Sequence, residues 1–166
     1  MSILKFEPRT PRTLRGMYNY LIDPTKTSEE GIFAIGCNPK FAVEEFEFVN
    51  KIYFIENLTH PYLQVIFAFD ENTTLPFCFI REVCMSIGQV LILDRRQVFA
   101  AIHYLGKDSA KIHCHYMINY ISVDGVLYKQ TYSLRHYKEK VNNIIIPYGL
   151  EAIKMFDVDE YLKLLA

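Results

Sequence analysis

Apolar positions along the chain fall into two periods, and the switches between them mark the elements. Ser2 to Phe6 alternates as a strand does. Thr13 to Ile22 carries its apolar residues at helical spacing until Asp23-Pro24, because the residue before a proline is disfavoured in the helical region. A polar loop from Lys26 to Glu30 follows. Gly31 to Cys37 reads as a strand, and Asn38-Pro39 then offers a helix cap and a proline for the first helical position, ahead of Phe41, Phe46, Val49 and Tyr53 at helical spacing. Pro61 to Phe69 is rich in β-branched and aromatic residues and ends at Asp70-Glu71-Asn72, whereas Leu75 to Leu91 returns to the helical period with Arg81 and Glu82 on its polar side. Val98 to Tyr104 and Ile112 to Val123 are apolar strands, and Asp124-Gly125 before Val126-Leu127-Tyr128 is a hairpin-turn signal. Tyr132 to Ile146 and Val158 to Leu165 close the chain as helices. The order β-α-β-α-β-α-β-β-β-α-α predicts an α+β fold, a largely antiparallel central sheet flanked by helices that pack on one sheet face.

Composition narrows the class without naming a chemistry. The 166 residues are 51% hydrophobic and 22% charged with a net charge of -1, which describes one domain with a real core and excludes a disordered chain. No apolar run approaches the roughly 18 residues of a membrane span, and the start Met1-Ser2-Ile3-Leu4-Lys5 lacks a signal-peptide pattern, so a cytoplasmic protein without membrane insertion is expected. The four cysteines, Cys37, Cys78, Cys84 and Cys114, form no C-x-x-C pair, which points to buried thiols rather than a disulfide framework or a thiolate zinc site. The neutral balance counts against wholesale electrostatic coating of nucleic acid.

The informative chemistry is a histidine cluster. His113 and His115 stand two apart on a strand, so their imidazoles leave the same face. His103 lies near the end of the preceding strand, and a connection through Gly106 returns the chain beside the pair if the two strands are antiparallel neighbours. Three neutral imidazoles make an open site for a divalent ion. The plain alternative is three sheet histidines satisfied by ordinary hydrogen bonds. Asp108 is either an outer partner of one imidazole or a solvated loop residue.

His113-Cys114-His115-Tyr116-Met117-Ile118-Asn119, a strand bearing His-hydrophobe-His and then an aliphatic stretch and Asn, resembles the third motif of conjugative relaxases, the HUH single-strand endonucleases. The hairpin Tyr120 to Tyr128 is similar to the continuation in the plasmid mobilisation branch of that family, and Gln97 to His103 resembles the strand that delivers its first metal-binding histidine. Phe67-Ala68-Phe69-Asp70-Glu71 with the following helix and its Glu82 is similar to the family's central strand and helix. Met17-Tyr18-Asn19-Tyr20-Leu21-Ile22-Asp23-Pro24-Thr25-Lys26 resembles its N-terminal tyrosine motif. The resemblance covers about Leu14 to Leu150. Where the family commonly has His-x-Asp, this chain has His103-Tyr104-Leu105, and its loop to the His pair is longer.

The resemblance implies an HUH relaxase fold derived from the ferredoxin-like type, and a nickase acting on single-stranded DNA at a transfer origin. Tyr20 would be the nucleophile, with Tyr18 in reserve, forming a 5′-phosphotyrosine. His103, His113 and His115 would hold a divalent ion, Mg or Mn, with Zn as a further choice. Candidate strand-binding cations are Arg12 and Arg15 beside the tyrosine motif, Lys107 and Lys111 in the histidine loop, and Lys129 and Arg135 after the hairpin. Implied partners are accessory relaxosome proteins and a type IV coupling protein in a bacterial cytoplasm. Residues 1–166 are read as a single nuclease domain, compatible with the N-terminal part of a longer protein because family relaxases usually continue into a C-terminal extension. Two alternatives remain: a replication initiator or transposase of the same superfamily, and a non-catalytic ferredoxin-like module that binds metal or nucleic acid. In the initiators and transposases the tyrosine generally follows the His pair; here it precedes it.

Overall fold

Among the described residues five strands, all antiparallel to their neighbours, form one sheet in the order β1-β3-β5-β4-β2: β1 is Ile3–Glu7, β2 Ile32–Ile35, β3 Tyr62–Ala68, β4 Val98–His103 and β5 His113–Asn119. The helices are α1 (Leu14–Leu21), α2 (Ala42–Ile52), α3 (Phe77–Leu91) and α4 (Leu134–Ile145). The structure is a computed structural model and describes residues 1–7, 12–53, 58, 60–92, 95–129 and 133–155; the helix expected over Val158 to Leu165 lies outside them.

The helices pack on both faces of the sheet, not on one. On one face, α3 and α4 place Ile80, Val83, Ile87, Tyr137, Val141 and Ile145 against Val65, Phe67, Ala100, Ile102, Tyr116 and Ile118. On the other, α1 and α2 place Leu14, Met17, Leu21, Val43 and Phe46 against Tyr62, Phe99, Ala101 and Met117. The reason is visible in the central strands. Every residue of β4 is buried, as is β5 from Cys114 onward, and a strand covered on both faces reads as a continuous apolar run rather than an alternation. Gly88 allows the close approach of α3, since a Cβ there would stand 2.9 Å from Ile35 Cδ1 and 3.4 Å from the Tyr116 ring.

Two local expectations change. Asn38-Pro39 forms a turn instead of capping α2: Asn38 Oδ1 accepts the Lys40 amide, and its carbonyl accepts the Phe41 amide at 3.0 Å. The helix starts three residues later and buries Ala42, Val43, Phe46 and Val49, leaving Phe41 56% exposed. The strand expected over Val126 to Tyr128 is reduced to one bridge, Ile121 to Leu127, around a three-residue turn with Gly125 at φ +83°.

Arg96 explains how so short a hairpin is held. Its guanidinium, 3% exposed, donates to the carbonyls of Asn119, Tyr120 and Val126. Arg96→Met removes three charge-assisted bonds and leaves their acceptors without that donor. The expected loss is about 2–3 kcal/mol, a fall of roughly 5–10 °C in melting temperature by circular dichroism. A melt within a degree or so of the native chain would show that the hairpin does not depend on Arg96.

Candidate active site

The three histidines converge because of strand register. His103 ends β4 and His113 begins β5, directly opposite each other, while His115 stands opposite Ala101 on the same face. Ring centroids lie 5.3 Å apart for His103 and His113, 4.7 Å for His103 and His115, and 4.9 Å for His113 and His115. One ring nitrogen from each falls within 4.8 Å of the others. The chain from Gly106 to Ala110 makes a 3-10 turn that joins the two strands.

The outer ring nitrogens are tied back into the fold. His103 Nε2–H donates to the Leu21 carbonyl at 3.1 Å and His113 Nδ1–H to the Lys111 carbonyl at 2.8 Å, which fixes both tautomers because a carbonyl only accepts. His115 Nδ1 lies 3.1 Å from the Gln64 side-chain amide. Inside the triangle, His103 Nδ1 and His115 Nε2 are buried with no partner among the described residues. Burial pushes the His115 pKa down to about 2 and that of His103 down as well, the bond to Leu21 opposing it. Both rings are therefore neutral at ordinary pH. Unpartnered, neutral nitrogens aimed at one point fit a divalent cation better than they fit satisfied sheet histidines.

These depressed values carry a stability prediction. A histidine that resists protonation when folded takes its proton more readily when unfolded. Its contribution is complete above the unfolded pKa of about 6.5 and is lost as pH falls below it. For metal-free protein, His115 should cost roughly 2–3 kcal/mol between about pH 6 and pH 4 at ~1.4 kcal/mol per pH unit. The lowered carboxyls of Asp23 and Glu44, each held down first by a hydrogen bond, add to the loss only at the acid end of this window and below, from their ordinary values of 3.8 and 4.5 downward. Melting temperature should fall across this window and fall less steeply in His115→Leu. Parallel slopes for the two proteins would show that His115 is not a buried neutral group.

Tyr20 reaches this triangle from α1. Its ring lies edge-on to His103 and His115, with centroids 5.5 and 5.6 Å away. Two cations flank the same ring: the Arg12 guanidinium at 4.3 Å and the Lys26 ammonium at 3.8 Å from its centroid. Lys26 was not foreseen from the sequence as a site residue. It is delivered by a turn in which the Asp23 carboxylate accepts from the backbone and hydroxyl of Thr25, while the Lys26 carbonyl accepts the Tyr104 and Leu105 amides that follow β4. The Asp23-Pro24-Thr25 pattern shows that the chain turns; only the fold shows that it turns back onto the histidines.

Tyr18 leaves α1 on the opposite flank, since side chains two apart on a helix point about 200° apart. Its hydroxyl donates to the Pro39 carbonyl at 3.1 Å and its ring packs on Phe99, centroids 4.8 Å apart. It faces a cleft of about 610 Å³ that also includes Ile22, Ile32 and Leu105.

The other candidate cations disperse. Arg15 pairs with Glu44 beside Tyr18. Lys107 and Lys111 are exposed in the connection between β4 and β5, with the Lys111 ammonium 3.8 Å from the Glu71 carboxylate. Lys129 follows the hairpin, beyond the Asn119 end of β5, and Arg135 sits on α4 behind the sheet, paired with Glu139 at 3.1 Å. Asp108 is half-buried in the 3-10 turn, while Leu21, Lys111 and Gln64 hold the outer ring nitrogens. On the histidine face, β3 continues the surface toward the β1 edge: Ile66 stands opposite His115 and Ala68 opposite His113, with Ile3 and Lys5 beyond them.

A family model described as Relaxase: MobA/VirD2-like, nuclease domain, matches residues 20–150, a span that opens on Tyr20 and includes all three histidines. No curated protein matches the chain.

Proposed function

The chain belongs to the relaxase family, by its MobA/VirD2-like nuclease domain, and from that premise we propose that it nicks one DNA strand by attack of Tyr20 on a phosphodiester seated against His103, His113 and His115. The observation that carries this reading is the position of Tyr20, edge-on to two imidazoles whose inward nitrogens have no partner among the described residues and bracketed by Arg12 and Lys26.

Tyr20 Oη forms the new bond to phosphorus as the bond to the 3′ oxygen breaks. The phenol gives up its proton, and the departing oxygen takes one to become a 3′-hydroxyl. The 5′-phosphotyrosine retains the phosphodiester's bond energy, so the same 3′-hydroxyl, or another, can reverse the step and rejoin a strand. His103 Nδ1, His113 Nε2 and His115 Nε2 would hold a divalent cation, which when bound would supply Lewis acidity at the phosphate. Three imidazoles without a carboxylate favour Mn²⁺ or Zn²⁺ over Mg²⁺ in affinity. Arg12 and Lys26 meet the charge of the phosphate that is passed to Tyr20. Partly exposed Ile66 and exposed Ile3 and Lys5, beside His115, offer the strand a path, with Lys107 and Lys111 at the loop end. Because Arg15 is paired with Glu44 and Arg135 with Glu139 away from the histidines, that path engages few phosphates, in keeping with the net charge of -1.

The transfer-origin substrate, a relaxosome, a coupling protein, a cytoplasmic setting and a single domain over residues 1–166 are proposed with this reading. Among the described residues no helix is long and apolar enough to cross a membrane.

The test is covalent capture. A pool of single-stranded oligonucleotides with a randomised centre and a 3′ fluorophore, incubated with the protein and Mn²⁺, should give a fluorescent band on a denaturing protein gel, because the 5′-linked fragment carries the 3′ label. Sequencing the captured strands should return one preferred junction. A pool that yields no adduct with Mn²⁺, Mg²⁺ or Zn²⁺ overturns the proposal.

A further inference from the structure

The three imidazoles differ in what fixes their protons. Leu21 and Lys111 meet His103 and His113 with backbone carbonyls, which no side-chain substitution alters. His115 instead meets a side chain, the amide of Gln64, 9% exposed on β3 and diagonal to His115 across the ladder. An amide has two ends. With its NH₂ toward His115 Nδ1, the ring proton must sit on Nε2, pointing into the triangle where that atom is buried without an acceptor. Turned by half a rotation, the amide fills the same space with its oxygen, accepts from Nδ1–H, and leaves the Nε2 lone pair facing His103 Nδ1 and His113. Only the second arrangement lets His115 ligate a cation.

We infer that Gln64 is the positioning residue of the site: its amide oxygen, turned to His115 Nδ1–H, selects the tautomer that completes the three-nitrogen set. This rests on the cation reading above and deepens it.

The choice of an amide has a second consequence. Among the described residues the hydrogen-bond partners of the three rings, the Leu21 and Lys111 carbonyls and the Gln64 amide, are all uncharged, so no anion bonded directly to a ring would offset the charge of a bound cation. A carboxylate in place of the amide would still accept from Nδ1–H and would make His115 a more basic ligand, at the expense of that charge. Gln64→Leu offers no acceptor.

The experiment measures Mn²⁺ affinity by isothermal titration calorimetry, with melting temperatures of the metal-free proteins as a control on folding. Gln64→Leu should bind Mn²⁺ roughly 10–100-fold more weakly than the native chain, the usual effect of removing an outer partner of a ligating histidine. Gln64→Glu should bind at least as tightly as the native chain, and in the capture assay at saturating Mn²⁺ it should form adduct more slowly. A residue that merely packs would give neither the rescue of affinity nor its separation from rate. Native affinity in Gln64→Leu, or equal weakening in both variants with unchanged melting temperatures, overturns the role of Gln64 while leaving the cation site standing. No Mn²⁺ binding by the native chain overturns both.

Discussion

Tyr20→Phe should abolish covalent capture of the labelled strand, a loss of at least about 10⁴-fold, while Tyr18→Phe should stay within a few-fold of the native rate. The substitution deletes one oxygen. The Phe ring keeps its edge contacts with His103 and His115 and still offers a face to Arg12 and Lys26, although it attracts cations less than tyrosine does. Strand affinity and melting temperature should therefore change little, and the missing adduct would report the missing nucleophile. Water can replace a phenol in hydrolysis, but it leaves nothing attached to the protein and cannot rejoin the strand. Tyr18 is the necessary comparison because it sits on the same helix with the same chemistry. Its hydroxyl is engaged with Pro39 and its ring with Phe99, on the flank turned away from the histidines. Tyr18→Phe loses that one bond, about 1 kcal/mol of stability. An adduct that survives Tyr20→Phe and disappears in Tyr18→Phe would reverse the assignment and require α1 to rotate when the strand binds.

The parts of the molecule legible in its sequence are those set by local rules. Side-chain alternation alone put His113 and His115 on one face, and the apolar runs at Val98 to Tyr104 and Ile112 to Val123 marked the central strands. Those runs also held the information that both faces are covered, since a one-sided sheet would have interleaved polar residues; the single-face packing expected for the helices overlooked it. At Asn38-Pro39 the same residue types that cap helices also build turns, so composition does not distinguish the two. The fold-level contacts were hidden for a different reason. Lys26 and Gln64 reach the site through a turn direction and a diagonal strand neighbour, and both depend on register between segments far apart in the chain. Arg15 and Arg135 lie near the motifs in sequence, yet Glu44 and the back of the sheet claim them.

His113→Ala should lower Mn²⁺ affinity by two orders of magnitude or more and slow adduct formation by about 10³-fold at modest Mn²⁺. Lewis-acid stabilisation of a phosphoryl transition state is worth several kcal/mol, and roughly 4 kcal/mol corresponds to that factor. Of the three proposed ligands His113 is the cleanest to remove. It is half-buried where His103 and His115 are buried, and among the described residues its ring hydrogen bond is to a backbone carbonyl, that of Lys111 at the start of β5. Truncation there should leave β4 and β5 paired, whereas truncation of His103 or His115 opens a cavity under Tyr20 and confounds chemistry with packing. Two imidazoles remain, so a large excess of Mn²⁺ should restore part of the rate, and chelation should silence the native protein and His113→Ala alike. The two substitutions separate the parts of the reaction. Tyr20→Phe should keep Mn²⁺ and lose the adduct at any concentration, while His113→Ala should lose Mn²⁺ and regain some adduct when it is supplied. Full activity of the native chain in a chelator, or native Mn²⁺ affinity in His113→Ala, would break the link between the histidines and the nucleophile and leave Tyr20 without an electrophilic partner.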